Sequence, residues 1–409
     1  MDTFSEGGWN RHDRRVVFAA AFVRAMATAM TGVLLGIYLQ RLHFSAFVIG
    51  AVIAAGLAGG ALAALLATLA ADRIGRRRFL FTVALLCAAG GFAVAFASAE
   101  AVIVTAGFLG MLNGMGRDRG AALVVEQAIL PATAPDQHRT STFAFYNVLQ
   151  AAGAAMGALA AGAPSLIRRY GAVSELDAMR VGMGLYAALM LVVAMLYLFL
   201  THAVESEGPH TGIRISPHSR SVVTRLAALF LLDSLGGGFM TQALVSFFLV
   251  ERFGASAGQI GLLFFGAAIA NALSQFVAAW LARRIGLVNT MVFTHLPGNL
   301  LMTAVAFAPS LRAAAILFLA RESLVQMDVP ARQSYVMAVV QPGERTFAAG
   351  VTGLVRLGGW ALAPAFAGIL MQGVSLATPF IIGPGLKVLY DLLLYRAFSE
   401  LRPPEERRP

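Results

Sequence analysis

The feature that most constrains this chain is a series of long apolar runs, separated by short segments that hold most of its charge. A helix that crosses a bilayer needs about 20 consecutive apolar residues, and twelve runs of this kind occur here. Lipid cannot bond with open backbone groups and each run is too long for a barrel strand, so we predict helices. We number them span 1 to span 12, at residues 16–40, 47–71, 79–98, 101–130, 142–163, 179–202, 222–250, 258–282, 288–308, 313–341, 347–371 and 376–398.

Composition and charge agree with a membrane protein. The chain is 58% apolar and 13% charged, whereas soluble domains are about 25% charged. The net charge of +10 does not indicate a nucleic-acid partner, because the arginines lie mainly between the apolar runs. With the N-terminus inside, 18 arginines fall in inside segments and 5 in outside loops, which predicts that both termini are cytoplasmic. The arginine- and alanine-rich composition favours the inner membrane of a bacterium.

The chain divides into two related halves. We predict an N-terminal half at residues 1–202, a central cytoplasmic loop at 203–221 and a C-terminal half at 222–409. Residues 40–50 match 251–261, and 71–75 match 282–286, both at an offset of 211 residues. Residues 139–147 match 345–353 at an offset of 206. The halves share chain direction, so they are predicted to be parallel repeats about an axis along the membrane normal.

A charged segment between spans 2 and 3 carries a family resemblance, and it reads Asp72-Arg73-Ile74-Gly75-Arg76-Arg77. With twelve spans, two parallel repeats and a central loop, it resembles the major facilitator superfamily. The segments at 289–299 and 329–346 are similar to bacterial permeases described as arabinose-efflux-like or drug-efflux-like. The resemblance implies alternating access, with a substrate cavity between the halves near the bilayer midplane.

The same resemblance implies that the charged segment is a charge latch that closes the inside face against a neighbouring helix. Its residues are Asp72, Arg73, Gly75, Arg76 and Arg77. The alternative is that the arginines only hold this loop on the inside of the membrane.

Charges at membrane depth are costly and usually face a cavity or a partner. The cations are Arg24, Arg117, Arg119, Arg321, Arg332, Arg356 and Lys387, and the anions are Asp118, Glu126, Asp233, Glu322, Asp328 and Asp391. Asp328 and Arg332 have the spacing of neighbours on one helix face, so they can neutralise each other. Lys387 and Asp391 have the same spacing. Glu126 and Arg332 are repeat equivalents, and they either form a gate across the halves or bind partners within their own halves.

Arg24 and Arg356 have no partner at helical spacing. Uncharged polar residues also cluster in spans 5, 7 and 8, and they bond either to neighbouring helices or to substrate. We predict that Arg24, Arg119, Asn147, Gln150, Gln242, Asn271, Gln275 and Arg356 bind substrate. The alternative for Arg356 is that it pairs with Asp233 or Glu126 and only locks the bundle.

A proton-coupling group must change its charge during the cycle, and burial of a carboxylate favours its neutral form. Asp233 and Glu126 are the predicted proton-coupling residues, and Arg332 is a predicted gating residue. His295 can titrate near neutral pH, but the more common role of a single histidine in a span is hydrogen-bonded packing. Cys87, the single cysteine, is predicted to be a small core residue, which excludes a disulfide framework.

Three functions are compatible with these patterns. The first is a secondary active transporter that exports a small organic solute or drug in exchange for protons. The second is a transporter of an anionic metabolite or phosphate-like solute, bound by cavity arginines. The third is a non-transporting assembly factor or receptor on the same fold.

An enzyme is not expected from the sequence. The chain has no Gly-x-Ser-x-Gly motif, no phosphate-binding loop that ends in Lys-Ser/Thr and no convincing metal-ligand spacing. We therefore predict no cofactor and no metal. The predicted partners are the lipid bilayer, a small-molecule solute and protons, with no nucleic acid, and the predicted oligomeric state is a monomer.

Overall fold

Helices account for the regular secondary structure of the described chain, as predicted. A computed structural model describes residues 10–135, 138–171, 173–205, 216–328, 332, 340 and 345–398. Parts of the predicted central loop and of predicted span 10 lie outside these residues. The helices are Arg11–Arg41, Ala46–Ile74, Arg76–Phe96, Glu100–Leu109, Ala121–Ile129, Arg139–Ala160, Ala163–Tyr170, Glu175–Leu198, Pro217–Gly238, Gln242–Phe253, Ala257–Ile285, Leu287–Ala306, Leu311–Val325, Arg345–Gly373 and Pro379–Phe398.

Eight stretches of the described chain are long and apolar enough to cross a membrane. They correspond to spans 1, 2, 3, 5, 6, 7, 8 and 11. Among the other predicted spans, span 4 is broken into helices of 10 and 9 residues, and the described helix of span 10 has 15 residues. Spans 9 and 12 are helices of 20 residues that contain buried polar side chains, which lower their mean hydropathy.

Side-chain caps define where several of these helices begin. Asn10, Ser45, Ser174, Thr241 and Ser310 each accept a hydrogen bond from a backbone N–H of the first turn that follows. Such a cap satisfies one of the backbone donors that a helix start leaves open. The polar residues between apolar runs therefore position the ends of the spans as well as separating them.

The internal repeat appears in the backbone at two pairs of turns. Gly75 and Gly286 precede spans 3 and 9 with φ of 99° and 88°. His43 and Gly254 precede spans 2 and 8 with φ of 61° and 64°. Both pairs have the 211-residue offset of the sequence repeat. Positive φ is rare for residues other than glycine, so its recurrence at equivalent positions supports two repeats with the same chain direction.

Apolar clusters show where the two halves meet. The largest contains residues of both halves, such as Leu35 of span 1 and Phe248 of span 7, at the end of the bundle opposite the chain termini. At the terminal end, one cluster around Leu80 belongs to the N-terminal half and another around Leu226 belongs to the C-terminal half. The halves are thus packed together at one end and separate at the other.

Polar contacts between the halves follow the same distribution. The Gln40 amide donates to Glu251 at 2.7 Å, and the backbone N–H of Phe47 donates to Gln372 at 3.2 Å, both at the end opposite the termini. On the outside of the bundle many large apolar side chains remain exposed, including Leu69 and Phe96. A surface of this kind suits contact with lipid hydrocarbon.

Candidate functional site

A cavity of about 450 Å³ lies between the two halves, at the depth where they begin to separate. Both halves contribute side chains to its wall. The charged residues that line it are Arg117, Asp118 and Arg119 from the N-terminal half, and Asp233, Arg321, Glu322, Asp328, Arg332, Arg356 and Lys387 from the C-terminal half. The geometry of this wall determines which solutes the cavity can hold.

Span 4 is not helical where it borders the cavity, in contrast to the continuous run predicted over residues 101–130. Residues 110–120 form a loop in which Met111 and Gly116 have positive φ. Asn113 supports the loop through its own side chain, which donates to the Arg117 carbonyl at 2.6 Å and accepts from the Met115 N–H at 2.8 Å. Irregular backbone at membrane depth is tolerated where it is buried in protein or lines a cavity.

Span 7 is also interrupted, and its break meets the loop of span 4. Thr241 caps the second helix of span 7. The backbone N–H of Ala243, in the first turn of that helix, donates to the Gly114 carbonyl at 3.0 Å. Gly116 has φ of 70°, and a side chain there would overlap the Gln242 amide, so both its backbone conformation and this close approach favour glycine. The two broken spans therefore satisfy each other's backbone groups across the interface of the halves.

Asp233 of span 7 is the centre of a charged cluster on the C-terminal side of the cavity. Lys387 of span 12 donates to its Oδ1 at 2.5 Å. Its Oδ2 lies 3.4 Å from Arg356 Nη2 and 3.7 Å from Arg332 Nη1. Arg332 also pairs with Asp328, as its spacing predicted. One carboxylate thus faces cations from three different spans.

The spacing argument for Lys387 and Asp391 was wrong about their partners. Lys387 pairs with Asp233 instead, as described above. Asp391 accepts from His295 Nδ1 at 2.8 Å and from the Asn299 amide at 3.2 Å, both in span 9. Spans 7, 9 and 12 are therefore joined by buried polar groups, and His295 is one of the residues that line the cavity.

The N-terminal half contains a second charged network, which is centred on Arg24 and reaches the cavity wall through Asp118. Its Nε lies 2.6 Å from Asp118, and its two terminal nitrogens donate to Glu126 at 2.8 and 2.6 Å. The hydroxyls of Tyr146 and Tyr197 donate to Glu126 at 2.6 and 2.7 Å. Glu126 and Arg332, the predicted gate pair, consequently bind partners within their own halves.

Arg119 has a different environment, because its described contact is with an aromatic ring. Its guanidinium carbon lies 4.0 Å from the centroid of Trp360, and that of Arg356 lies 4.8 Å from the same centroid. Cations over an indole face are attracted by its quadrupole. Among the residues that the structure describes, no carboxylate lies within ion-pair distance of Arg119. The neighbouring Arg117 is 3.5 Å from Glu322 across the interface.

The predicted amide ligands divide into three groups. Gln150, Gln242 and Asn271 line the cavity, and the amide of Asn271 donates to Glu322 at 2.8 Å. Asn147 is exposed on span 5 and does not belong to the described cavity wall. The side chain of Gln275 lies outside the part of the chain that the structure describes.

The residues of the predicted charge latch lie in the segment that joins spans 2 and 3, namely Asp72, Arg73, Gly75, Arg76 and Arg77. Asp72 pairs with Arg76 at 2.7 Å within the segment. Glu205 accepts from the backbone N–H groups of Arg76 and Arg77 at 2.6 and 3.3 Å. The Arg77 side chain donates to the Leu198 carbonyl at 2.6 Å. These contacts tie the segment to the end of span 6 in the same half.

Three features of the site were missed by sequence reasoning. The stack on Trp360 was not predicted, and neither was the role of Lys387 as the partner of Asp233. The break in span 4 had a usable signal, because residues 110–120 read GMLNGMGRDRG. Several glycines beside three charged residues are a signature of irregular backbone. Among the described residues, no cluster of three or more histidine, cysteine or acidic side chains can hold a metal ion.

Comparison with known proteins identifies the family. A model of the Major Facilitator Superfamily matches residues 17–248 and, in a second match, residues 226–409. An uncharacterised membrane protein of Saccharomyces cerevisiae is 24% identical over 416 residues, which cover 93% of each chain.

Solved structures agree on the fold. The nucleoside transporter NupG is 15% identical, with a TM-score of 0.73 over 94% of this chain and 99% of NupG. A peptide transporter POT in complex with sulfate is 14% identical, with a TM-score of 0.74 over 98% of this chain and 96% of that one. The chain therefore belongs to the Major Facilitator Superfamily and is a secondary membrane transporter.

Proposed function

We propose that this transporter carries a small organic anion by alternating access. The observation that carries the proposal is Arg119, a cation on the cavity wall whose described contact is the ring of Trp360. Arg356 lies on the same ring, and its Nη1 is buried without a hydrogen-bond partner in the described structure. A carboxylate or phosphate group would supply the charged hydrogen-bond acceptor that these guanidinium groups lack.

The pairing of the buried charges supports an anion. The sequence places seven cations and six anions at membrane depth, which is close to balance. The described ion pairs account for the six anions, and Arg119 is the cation without a carboxylate. An unpaired charge in a low-dielectric site is costly, so one negative charge on the solute would offset that cost.

A lipophilic cation fits the cavity less well. Asp233 is the carboxylate that a cationic drug would approach, and it is held by Lys387 at 2.5 Å and Arg356 at 3.4 Å. Proton-coupled drug export therefore remains a prediction from the sequence that this wall does not favour. The third function, a receptor or assembly factor without transport, differs from anion transport and from drug export because such a protein would bind a solute without moving it across the membrane.

The remaining wall indicates a solute with both apolar and hydrogen-bonding parts. Gln150, Gln242 and Asn271 offer amides, and the Asn271 Oδ1 is buried without a described partner. Phe264 and Phe318 supply apolar surface. A mostly apolar pocket with a few convergent polar groups is typical of small-molecule sites, and the volume of about 450 Å³ suits a solute of modest size.

The arginine distribution leads us to assign both termini to the cytoplasm. We also propose that the chain is a monomer in the inner membrane of a bacterium. In that orientation the halves are packed at the external end and separate at the cytoplasmic end. The cavity would then be open to the cytoplasm in this conformation. Alternating access requires a second state in which the packed and separated ends exchange.

The test is a thermal-shift panel on the detergent-purified protein. Benzoate, glucuronate and inorganic phosphate are compared with tetraphenylphosphonium and with the neutral benzamide. Ligand binding to the folded state raises its apparent stability. We expect stabilisation by one or more of the anions, and we expect Arg119→Gln to weaken that binding about 10- to 100-fold, as for the loss of a charged hydrogen bond.

Arg168→Gln is the matched control, because Arg168 pairs with Glu175 at 3.0 Å on the exposed side of the other end of the bundle. Its response to anions should equal that of the wild type. Stabilisation by tetraphenylphosphonium that Asp233→Asn abolishes would replace our proposal with cation export. Uptake of labelled benzoate into proteoliposomes separates transport from binding alone.

A further inference from the structure

A second cavity lies mainly within the N-terminal half, behind the unwound loop of span 4. Its volume is about 60 Å³, and we call it the side pocket to distinguish it from the main cavity between the halves. Spans 2, 3 and 6 supply apolar wall to it, through residues such as Leu57, Val83 and Met190. Residues of the loop at 110–120 line both cavities. The unwound segment thus lies between two cavities.

The two cavities share the residues on which the anion proposal depends. Arg119 and Trp360 line both of them, together with Met115, Arg117 and Asp118. The Arg119 guanidinium over the Trp360 ring, at 4.0 Å from its centroid, therefore stands at the boundary between the cavities. An anionic group that binds Arg119 can extend the rest of its molecule into the side pocket.

The other charged and amide side chains on the wall of the side pocket already have partners. Asp118 lies 2.6 Å from Arg24. The Asn113 side chain donates to the Arg117 carbonyl and accepts from a loop N–H, at 2.6 and 2.8 Å. The Arg117 guanidinium has the ion pair across the interface described above. The side pocket therefore offers a ligand one charged group, Arg119 at its edge, and apolar surface elsewhere that gains from burial of a hydrocarbon.

We propose that the side pocket binds the apolar tail of the transported anion, and that this anion is a short aliphatic carboxylate. The carboxylate binds Arg119, and the alkyl chain lies behind the loop of span 4. An apolar cavity of about 150 Å³ holds benzene, so the side pocket, at about 60 Å³, is too small for a ring and suits a chain of a few carbons. Met111, Met115 and Met190 line it, and their flexible side chains can adapt to such a chain.

This inference rests on the proposed anion transport and names the class of anion, and Gly60 offers a way to test it without disturbing the fold. Gly56 and Gly60 lie one turn apart on span 2, and both line the side pocket. A Cβ at Gly56 would lie 2.0 Å from the Leu112 carbonyl oxygen, whereas a Cβ at Gly60 meets no atom within 4 Å. Gly60→Ala therefore adds a methyl group to the pocket wall without a clash. Gly184 of span 6 has the same open surroundings and lines neither described cavity, so Gly184→Ala is the matched control.

The test measures the affinity of the purified protein for unbranched carboxylates from acetate to heptanoate, from the concentration dependence of their thermal shifts. A buried methylene raises affinity about fourfold, so we expect the wild-type affinity to rise at each step as far as about pentanoate and then to level off. The corresponding primary amides should bind more weakly at every length, because they lack the charge that Arg119 binds.

Two variants change the size of the side pocket in opposite directions. Gly60→Ala makes it smaller and should weaken pentanoate about fourfold relative to acetate. Val83→Ala makes it larger and should move the plateau to a longer chain. Gly184→Ala should give the same series as the wild type.

The outcomes separate this inference from the proposed function. Equal affinity of the wild-type protein for acetate and for the longer chains overturns the tail site and leaves anion transport in place. A rise with chain length that Gly60→Ala does not alter places the tail in the main cavity and overturns the inference as well. Absence of binding by all the carboxylates and by inorganic phosphate removes the anion site and the inference together. Gly60→Ala decides the matter even if Val83→Ala does not elute as a folded protein.

Discussion

Lys387 of span 12 donates a hydrogen bond to Asp233 of span 7 across 2.5 Å. Lys387 is the single lysine in a chain whose other basic residues are arginines. The two residues are 154 positions apart, and they join span 7 to span 12 of the same half. Because both groups are buried, the stability of the C-terminal half depends on their pairing.

Lys387→Met is expected to destabilise the protein more than the double variant Lys387→Met/Asp233→Asn. Removal of one partner of a buried ion pair leaves an uncompensated charge and costs about 3–5 kcal/mol, whereas replacement of both partners is often nearly neutral. Chemical unfolding of the purified variants measures the difference. Equal loss in the single and double variants would mean that Arg356 and Arg332 already compensate Asp233.

Gly75→Ala and Gly286→Ala are each expected to lower the free energy of unfolding by about 1–2 kcal/mol. At φ of 99° and 88° a Cβ strains the backbone, whatever space surrounds it. Gly60→Ala is the control, because Gly60 is helical and has no atom within 4 Å of the added Cβ. That change should be neutral or slightly stabilising. A loss at Gly60 as large as that at Gly75 would contradict the backbone explanation.

Glu126→Gln is expected to destabilise the N-terminal half. Glu126 accepts from Arg24 twice and from two tyrosine hydroxyls, so the variant weakens the network around Arg24 by about 1.5–3 kcal/mol. Thermal unfolding of the purified variant measures the loss. A variant as stable as the wild type would contradict the stabilising role of this network.

Asp72→Asn is expected to change the stability by no more than about 1 kcal/mol, because partly exposed ion pairs contribute little. Transport should slow several-fold if the segment between spans 2 and 3 moves with the end of span 6 during the cycle. Initial rates of benzoate uptake at matched protein density measure this effect. Arg78→Gln, at the exposed position directly after this segment, is the control. Equal rates in Asp72→Asn and the wild type would reduce the segment to a topology determinant.

Trp360→Leu is expected to weaken anion binding about 3- to 10-fold while leaving the charge of the cavity unchanged. Each stacked arginine loses a cation–π contact of roughly 0.5–1 kcal/mol, and both arginines become less ordered. Trp280→Leu, on the exposed face of span 8 beside Arg284, is the matched control. Unchanged benzoate affinity in Trp360→Leu would place the anion away from the Arg119–Arg356 pair.

Much of the fold could be predicted because its signals are local in the sequence. A span is a property of about 20 neighbouring residues, and the repeat is a match of short segments. Gly75 and Gly286 end the matching ADRIG and ARRIG segments, and the structure shows positive φ at both of them. The discontinuity of span 4 was missed although its glycines were visible. Hydropathy averages over a window and does not register a break of a few residues.

The partners of the buried charges illustrate the other limit. Helical spacing considers one helix at a time, so it assigned Lys387 to Asp391 and left Asp233 and Arg24 without partners. Rotation of spans 7, 9 and 12 about their axes brings Lys387 to Asp233 and turns Asp391 toward His295. The same limit hid Trp360, because an aromatic residue in an apolar run gives no sign that two cations face it.

The amino-acid sequence by itself determined the class of this protein, the approximate positions of its spans and the two parallel repeats. The reason is that bilayer thickness and backbone hydrogen bonding act on consecutive residues. Only the tertiary structure decided which charges neutralise each other, which backbone stays unwound and which cation remains for a solute. Those outcomes depend on how packed helices rotate and approach one another. An example is the hydrogen bond from the Ala243 N–H of span 7 to the Gly114 carbonyl of span 4.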